Sequence, residues 1–253
     1  MFFKTKYQTL YYEVYGKKDK YILILPGWGN TRSTFYNLIN SLKNDYTIYI
    51  IDYPGFGNSP LPSKELTIYD YAHTINLFIK EKKILNPLII AHSFGGRITS
   101  VLLSIYKIKV DKLLLIDVAG IKRHKNIKVL FNEILYKLLK KLKIFFPPLK
   151  RELYLNNLLN HFASNDYKEI SPVMRNTFKN IIKEDLRKHY KNINCETLII
   201  WGNQDKDTPL KDAYYLNKII KDSGLIIYKN ASHYSYLYYS DLTSKIIKEF
   251  TKL

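Results

Sequence analysis

The sequence predicts an α/β protein: a mainly parallel sheet with helices on both faces and a helical insertion. Three observations carry that reading. Short apolar runs alternate with helical spacing along most of the chain, the order that builds a parallel sheet under covering helices. The runs are near-continuous in apolar residues, as strands buried on both faces are. Seven of the ten glycines fall in four loops that directly follow such runs: Gly27 and Gly29, Gly55 and Gly57, Gly95 and Gly96, and Gly202. With 253 residues, one large domain, or a core carrying an insertion, can bury a substantial interior.

Taken in order, Tyr7 to Tyr15 alternates and reads as an early antiparallel strand, paired with Phe2 to Lys6. YILIL (Tyr21 to Leu25), YTIYII (Tyr46 to Ile51), LIIA (Leu88 to Ala91) and LLLI (Leu113 to Ile116) read as buried strands. So do LIIW (Leu198 to Trp201) and LIIY (Leu225 to Tyr228). Helical spacing marks Ile68 to Lys82, Arg97 to Tyr106, Leu210 to Ile220 and Asp241 to Phe250. The alternation fails over residues 121–194, a Lys-, Leu- and Asn-rich block broken by Pro147-Pro148 and Pro172. It is expected to be a helical cap or lid inserted into a core of residues 1–120 and 195–253.

Within the block, YKLLKKLKIFFPPLK (Tyr136 to Lys150) is basic and apolar enough to lie on a membrane surface. A cap helix packing Leu and Ile onto the core is the preferred reading.

The net charge of +18 comes from 40 basic residues, of which only six are arginine. Lysine spread evenly along the chain lacks the concentrated, Arg-bearing footprint of a nucleic-acid reader, so no nucleic-acid partner is expected. Cys195 is the single cysteine, which excludes an intrachain disulfide; it reads as a small buried residue at a strand start. The first residues lack the apolar core and cleavage site of a secretory leader, and no run approaches a membrane span. A cytoplasmic location is the expectation.

In an open parallel sheet, ligands bind beyond the carboxyl ends of the strands. The glycines cluster there, where tight turns and close backbone approach need them. One of these corners, LIIAHSFGG, puts Ser93 between a strand and a helix with small residues on both sides. Such a turn projects the hydroxyl, and the helix directs its positive end at the same spot. A serine needs an adjacent base oriented by a third group. His233 in NASHYSYLY follows the last strand on a loop and is the expected base. His92 is expected to pack locally, His73 to lie on a surface helix, and His124, His161 and His189 to lie in the insertion. Asp205 in WGNQDKDTP is the preferred acid, with Asp117 at the end of LLLID the rival and Asp207 a helix cap.

With Ser93, Asp205 and His233 in that order, the chain resembles the α/β-hydrolase superfamily, specifically its cofactor-free, cap-containing serine esterase-like branch. The resemblance covers nearly the whole chain. PGWGN resembles the family's oxyanion loop, with Pro26 where histidine is commoner, and DYPGFGNS the turn after the next strand. AHSFGG resembles the nucleophile elbow, with Ala91 for the usual glycine. The resemblance implies that His233 takes the proton of Ser93 while Asp205 fixes its tautomer. It also implies that the amides of Trp28 and Phe94 form the oxyanion hole, each donor being worth about 2.7–4 kcal/mol. Water would then release the acyl-enzyme. No cofactor is implied, and no histidine pair has metal-ligand spacing.

The expected partner is a small ester-like substrate, with Trp28, Phe35, Phe56 and Phe94 suggesting an apolar acyl pocket. Hydrolysis of a thioester, a carbon–carbon bond or an N-terminal peptide bond is the alternative on the same residues. A catalytically silent ligand-binding homologue is the third. Asp52, Ser59 and Arg97 are read as a turn residue, a cap and a helix-surface charge.

Overall fold

Eight strands form one sheet in the order β1-β2-β4-β3-β5-β6-β7-β8. They are β1 (Phe2–Lys4), β2 (Thr9–Tyr15), β3 (Tyr21–Leu25), β4 (Thr47–Asp52), β5 (Leu88–His92), β6 (Leu113–Ile116), β7 (Thr197–Gly202) and β8 (Ser223–Tyr228). β2 runs antiparallel to β1 and β4, and every other pairing is parallel. The computed structural model describes residues 1–122 and 171–252, together with 138, 139, 141 and 150.

The continuous apolar runs follow from the sheet having two covered faces. Along β3, Leu23 and Leu25 point into one core while Ile22 and Ile24 point into the other. β5 splits the same way, Ile89 and Ala91 against Leu88 and Ile90, and β6 splits Leu113 and Leu115 against Leu114 and Ile116. Successive side chains alternate faces, so burial of both faces requires apolar residues at every position.

The first core is closed by α2 (Ile68–Glu81) and α3 (Phe94–Ile105), the second by α1 (Tyr36–Leu42) and a C-terminal helix (Ser240–Phe250). α2 starts at a reciprocal cap in which the Thr67 hydroxyl accepts the Asp70 amide and the Asp70 carboxylate accepts the Thr67 amide. α1 lay outside the sequence expectation. Only Leu38, Ile39 and Leu42 of its seven residues are buried, too short a stripe to establish a period.

The compact units of the chain do not coincide with the expected boundaries at 121 and 194. The chain divides into Met1–Lys122 with Thr177–Leu253, and Arg123–Asn176. Residues 177–194 belong with the first unit for specific reasons. The buried Thr177 hydroxyl accepts the Leu66 amide at 3.0 Å. Tyr190 is fully buried and donates its hydroxyl to the Ala119 carbonyl at 2.6 Å. Arg97, expected as a surface charge, is buried instead and donates to the carbonyls of Ile181 and Glu184 at 3.1 and 3.3 Å. These carbonyls lie at and just past the C-terminal end of α4 (Pro172–Lys183), where Arg97 supplements the backbone donors. A one-turn helix, α5 (Arg187–Lys191), follows.

Most of the segment Tyr136 to Lys150, with His124 and His161, lies outside the described residues. Among those described, no helix is long and apolar enough to cross a membrane. Towards the C-terminus follow α6 (Leu210–Ile219), α7 (Ser235–Tyr238) and α8 (Ser240–Phe250).

Candidate active site

The chain passes from β3 outward to β4 and then returns to the other side of β3 as β5. That reversal opens a crevice at the carboxyl ends of β3 and β5, where an open sheet binds ligands. Ser93 stands there, immediately after β5. Its φ of 48° is positive, a conformation that costs a residue bearing a Cβ about 1–3 kcal/mol and turns its side chain out of the strand. Gly95 makes the corner possible, because a Cβ there would stand 1.9 Å from the Leu25 carbonyl oxygen. Phe94 opens α3, so its amide is one of the first-turn donors that have no intrahelical partner.

Ser93, Asp205 and His233 are drawn from the ends of β5, β7 and β8 into one chain of hydrogen bonds. His233 Nε2 lies 2.9 Å from Ser93 Oγ, and its Nδ1 lies 2.8 Å from Asp205 Oδ2. Asp205 is fixed from behind, since Oδ1 accepts the amides of Asp207 and Thr208 at 2.8 and 2.9 Å. The Thr208 hydroxyl is 2.6 Å from Oδ2 and 3.1 Å from the Asp117 carbonyl. Burial raises the Asp205 pKa, but the bonds from His233 and Thr208 outweigh it and hold the group below the usual carboxylate range. Burial alone would depress His233, yet its bond to Asp205 and that carboxylate's charge leave it above the ordinary histidine value.

A base must be unprotonated to act, so kcat/KM for an ester is expected to climb with pH along a limb centred above the ordinary histidine pKa. A pH–rate profile checks this, and a limb centred below that value would contradict it.

The other sequence expectations divide. Asp117, the rival acid, makes no contact with the imidazole nitrogens; its oxygens accept the backbone amides of Gly202 and Ser235 at 2.8 and 3.0 Å. Asp207 does not cap α6, whose N-cap is Pro209 with no side-chain bond. The loop's turn is made by Asp205 itself, and Thr208 three residues later was the overlooked signal.

His92 is wholly buried and donates Nε2–H to the His233 carbonyl at 2.8 Å. Burial and the nearby His233 charge push its pKa down to about 3, so it stays neutral, and its Nδ1 faces the Asn30 amide at 3.4 Å. Asn30 in turn accepts the Tyr234 hydroxyl at 3.0 Å.

Of the four aromatics expected to line a pocket, three meet. Half-buried Trp28 packs edge-on against Phe56 and Phe94 at 4.9 and 5.3 Å, and Phe178 of α4 joins them at 5.2 Å. Phe35 lies across the sheet in the second core, stacked on Tyr236 at 4.6 Å. Asp52 is buried and pairs with Arg32, and the Ser59 hydroxyl donates to the Asp52 carbonyl at 2.6 Å; both hold the turn after β4.

Among the described residues, Asp205, Asp207 and His233 bring metal-ligand atom types within 4.8 Å of one another. Two of those atoms, however, are already joined in the Asp205–His233 hydrogen bond. A separate cleft of about 870 Å³ opens at the amino ends of β5, β6 and β7, beside Ser104, Lys107, Lys191 and Cys195, and contains none of the site residues.

A doubly covered sheet, a serine on a strained corner and an imidazole within reach of its hydroxyl together define a hydrolase. The model of the alpha/beta hydrolase fold matches residues 20–238, and the chain belongs to that family. It is 27% identical, over 97% of its own length and 98% of the relative's, to a pimeloyl-[acyl-carrier protein] methyl ester esterase of Wigglesworthia glossinidia brevipalpis. The protein of that name from Proteus mirabilis is 24% identical over 94% of this chain and 95% of its own. Among solved structures, an esterase from Exiguobacterium antarcticum superposes with a TM-score of 0.76, covering 97% of this chain and 96% of that one at 22% identity. That last likeness speaks for the fold.

Proposed function

We propose that the protein hydrolyses carboxylic esters of small or medium apolar acyl groups through an acyl-enzyme on Ser93. The observation that carries this is the continuous bonding from Ser93 Oγ through both nitrogens of His233 to Asp205, at 2.9 and 2.8 Å. Asp205 accepts from Nδ1–H, which leaves Nε2 unprotonated and facing the hydroxyl. As Ser93 Oγ attacks the ester carbonyl, Nε2 takes its proton. The carbonyl oxygen, now negative, is held by the main-chain amides of Phe94 and Trp28. When the tetrahedral adduct collapses, His233 returns the proton to the departing alkoxide, which leaves as the alcohol. Water, deprotonated by the same nitrogen, then releases the acid. Because the donors are main-chain amides, Pro26 does not remove the hole.

Trp28, Phe56, Phe94 and Phe178 supply the apolar wall expected for an acyl chain. Two relatives named for methyl ester hydrolysis support an ester over the other bonds such a site could break. The unit Arg123–Asn176 is read as the cap. With its one cysteine free and half-buried, the protein needs no oxidising compartment, and the cytoplasm is the proposed location.

A fluorophosphonate probe should label the folded protein at one site. Turnover of p-nitrophenyl and methyl esters over a range of acyl lengths should exceed that of matched thioesters. A folded protein that neither takes the probe nor turns over any ester would instead be a ligand-binding member of the family.

A further inference from the structure

Asp117 holds a place in the site that the relay just described does not use. It directly follows β6 with a φ of 47°, is fully buried, and stands between the loops that carry Asp205 and His233. Its Oδ1 accepts the amide of Gly202, three residues before Asp205. Its Oδ2 accepts the amide of Ser235, two residues after His233. Its own amide donates to the Ile200 carbonyl at 3.0 Å, and its carbonyl lies 3.1 Å from the Thr208 hydroxyl that braces Asp205. One side chain thus accepts a backbone amide from each of the two loops.

We infer that Asp117 is a positioning residue whose two carboxylate oxygens hold the acid-bearing and histidine-bearing loops in register, so that Asp205, His233 and Ser93 meet. The inference rests on the proton relay proposed above. Only an ionised carboxylate performs this task, because both oxygens must accept. A protonated acid carries one O–H, which would confront a backbone N–H and release one loop. The alignment therefore depends on pH. The groups around the carboxyl are Asp205 on the β7 loop, His233 and Tyr236 on the β8 side, and Tyr228 at the end of β8. Burial pushes Asp117 up to about 7 against the bonds from Ser235 and Gly202, and the charge of Asp205 adds to the rise.

The experiment compares wild type, Asp117→Asn, Asp205→Asn and the double variant on one p-nitrophenyl ester. Asp117→Asn is the isostere of the protonated acid. Its kcat is expected to fall by roughly 10- to 100-fold with KM within about twofold, the cost of about 1 Å of misplacement. In the Asp205→Asn background the same change should cost at most about threefold, because a relay already broken cannot be misaligned further. A purely structural role would cost the same factor in both backgrounds and would overturn the inference. The wild-type pH profile adds a readout that needs no variant. The acid limb of log kcat/KM should exceed a slope of one and tend towards two below about pH 7, and Asp117→Asn should restore a slope of one.

A wild-type slope of one throughout, or an Asp117→Asn enzyme of unchanged kcat, overturns the inference and leaves the relay standing. Near-wild-type turnover by Asp205→Asn with none by Asp117→Asn would make Asp117 the acid and overturn both.

Discussion

Ser93→Ala is expected to lower kcat on a p-nitrophenyl ester by about 10⁶-fold, the magnitude found when a serine nucleophile is deleted from such a relay. KM should stay within a few-fold, because the apolar wall of Trp28, Phe56, Phe94 and Phe178 is untouched. The fold should survive for three reasons. The Oγ bonds the His233 imidazole rather than the backbone of its own corner, the side chain is half-buried, and alanine meets the same positive φ of 48° that serine already tolerates. The measurement is a purified variant whose circular dichroism matches wild type, assayed for turnover and for fluorophosphonate labelling. Both activities should vanish together. A folded variant retaining more than about one per cent of wild-type kcat would put the nucleophile elsewhere and end the proposal for this site.

Such a result would rest on features of very different legibility. Ser93 was readable because its corner is local: a strand, a small residue on either side and a helix occur within a dozen positions, and Gly95 is required by a contact 1.9 Å away. His233 and Asp205 were readable because loops that follow core strands all end on one edge of the sheet. The strands themselves were legible because both faces are apolar. The supporting groups were not, since each depends on a partner far along the chain. His92 acts on a carbonyl 141 residues away, Asp117 on an amide 118 residues away, and Arg97 on carbonyls of α4.

Phe35 and Phe94 carry similar local signals, yet the sheet sends them to opposite cores. That residues 177–194 cluster with the first unit was not legible for a related reason. Residues 177–194 have the same Lys- and Asn-rich composition as the block before them. Long-range bonds such as those of Thr177, Ile181 and Tyr190 to Leu66, Arg97 and Ala119 tie them to the core.

Asp205→Asn should be the second most damaging of these changes, costing about 10⁴-fold in kcat, and the surroundings of Asp205 dictate why. An amide has one accepting oxygen and one donating nitrogen, so its orientation decides the outcome. The Oδ1 position faces two backbone donors, the amides of Asp207 and Thr208 at 2.8 and 2.9 Å, and only an oxygen can sit there. The new NH₂ must then occupy the Oδ2 position, 2.8 Å from His233 Nδ1. The Thr208 hydroxyl does not oppose this arrangement, because it can accept from the NH₂ and send its own proton to the Asp117 carbonyl at 3.1 Å. His233 Nδ1 is thereby made an acceptor, and the ring proton moves to Nε2, where it faces Ser93 Oγ. In that tautomer the imidazole donates to the hydroxyl and has no lone pair with which to take its proton. The structure should be nearly unchanged while the chemistry fails, so the variant should fold and bind substrate with little change in KM. Raising the pH should recover part of the rate, because hydroxide can remove the proton that the imidazole no longer accepts. A variant within tenfold of wild-type kcat near neutral pH would show that the tautomer of His233 is set by something other than Asp205.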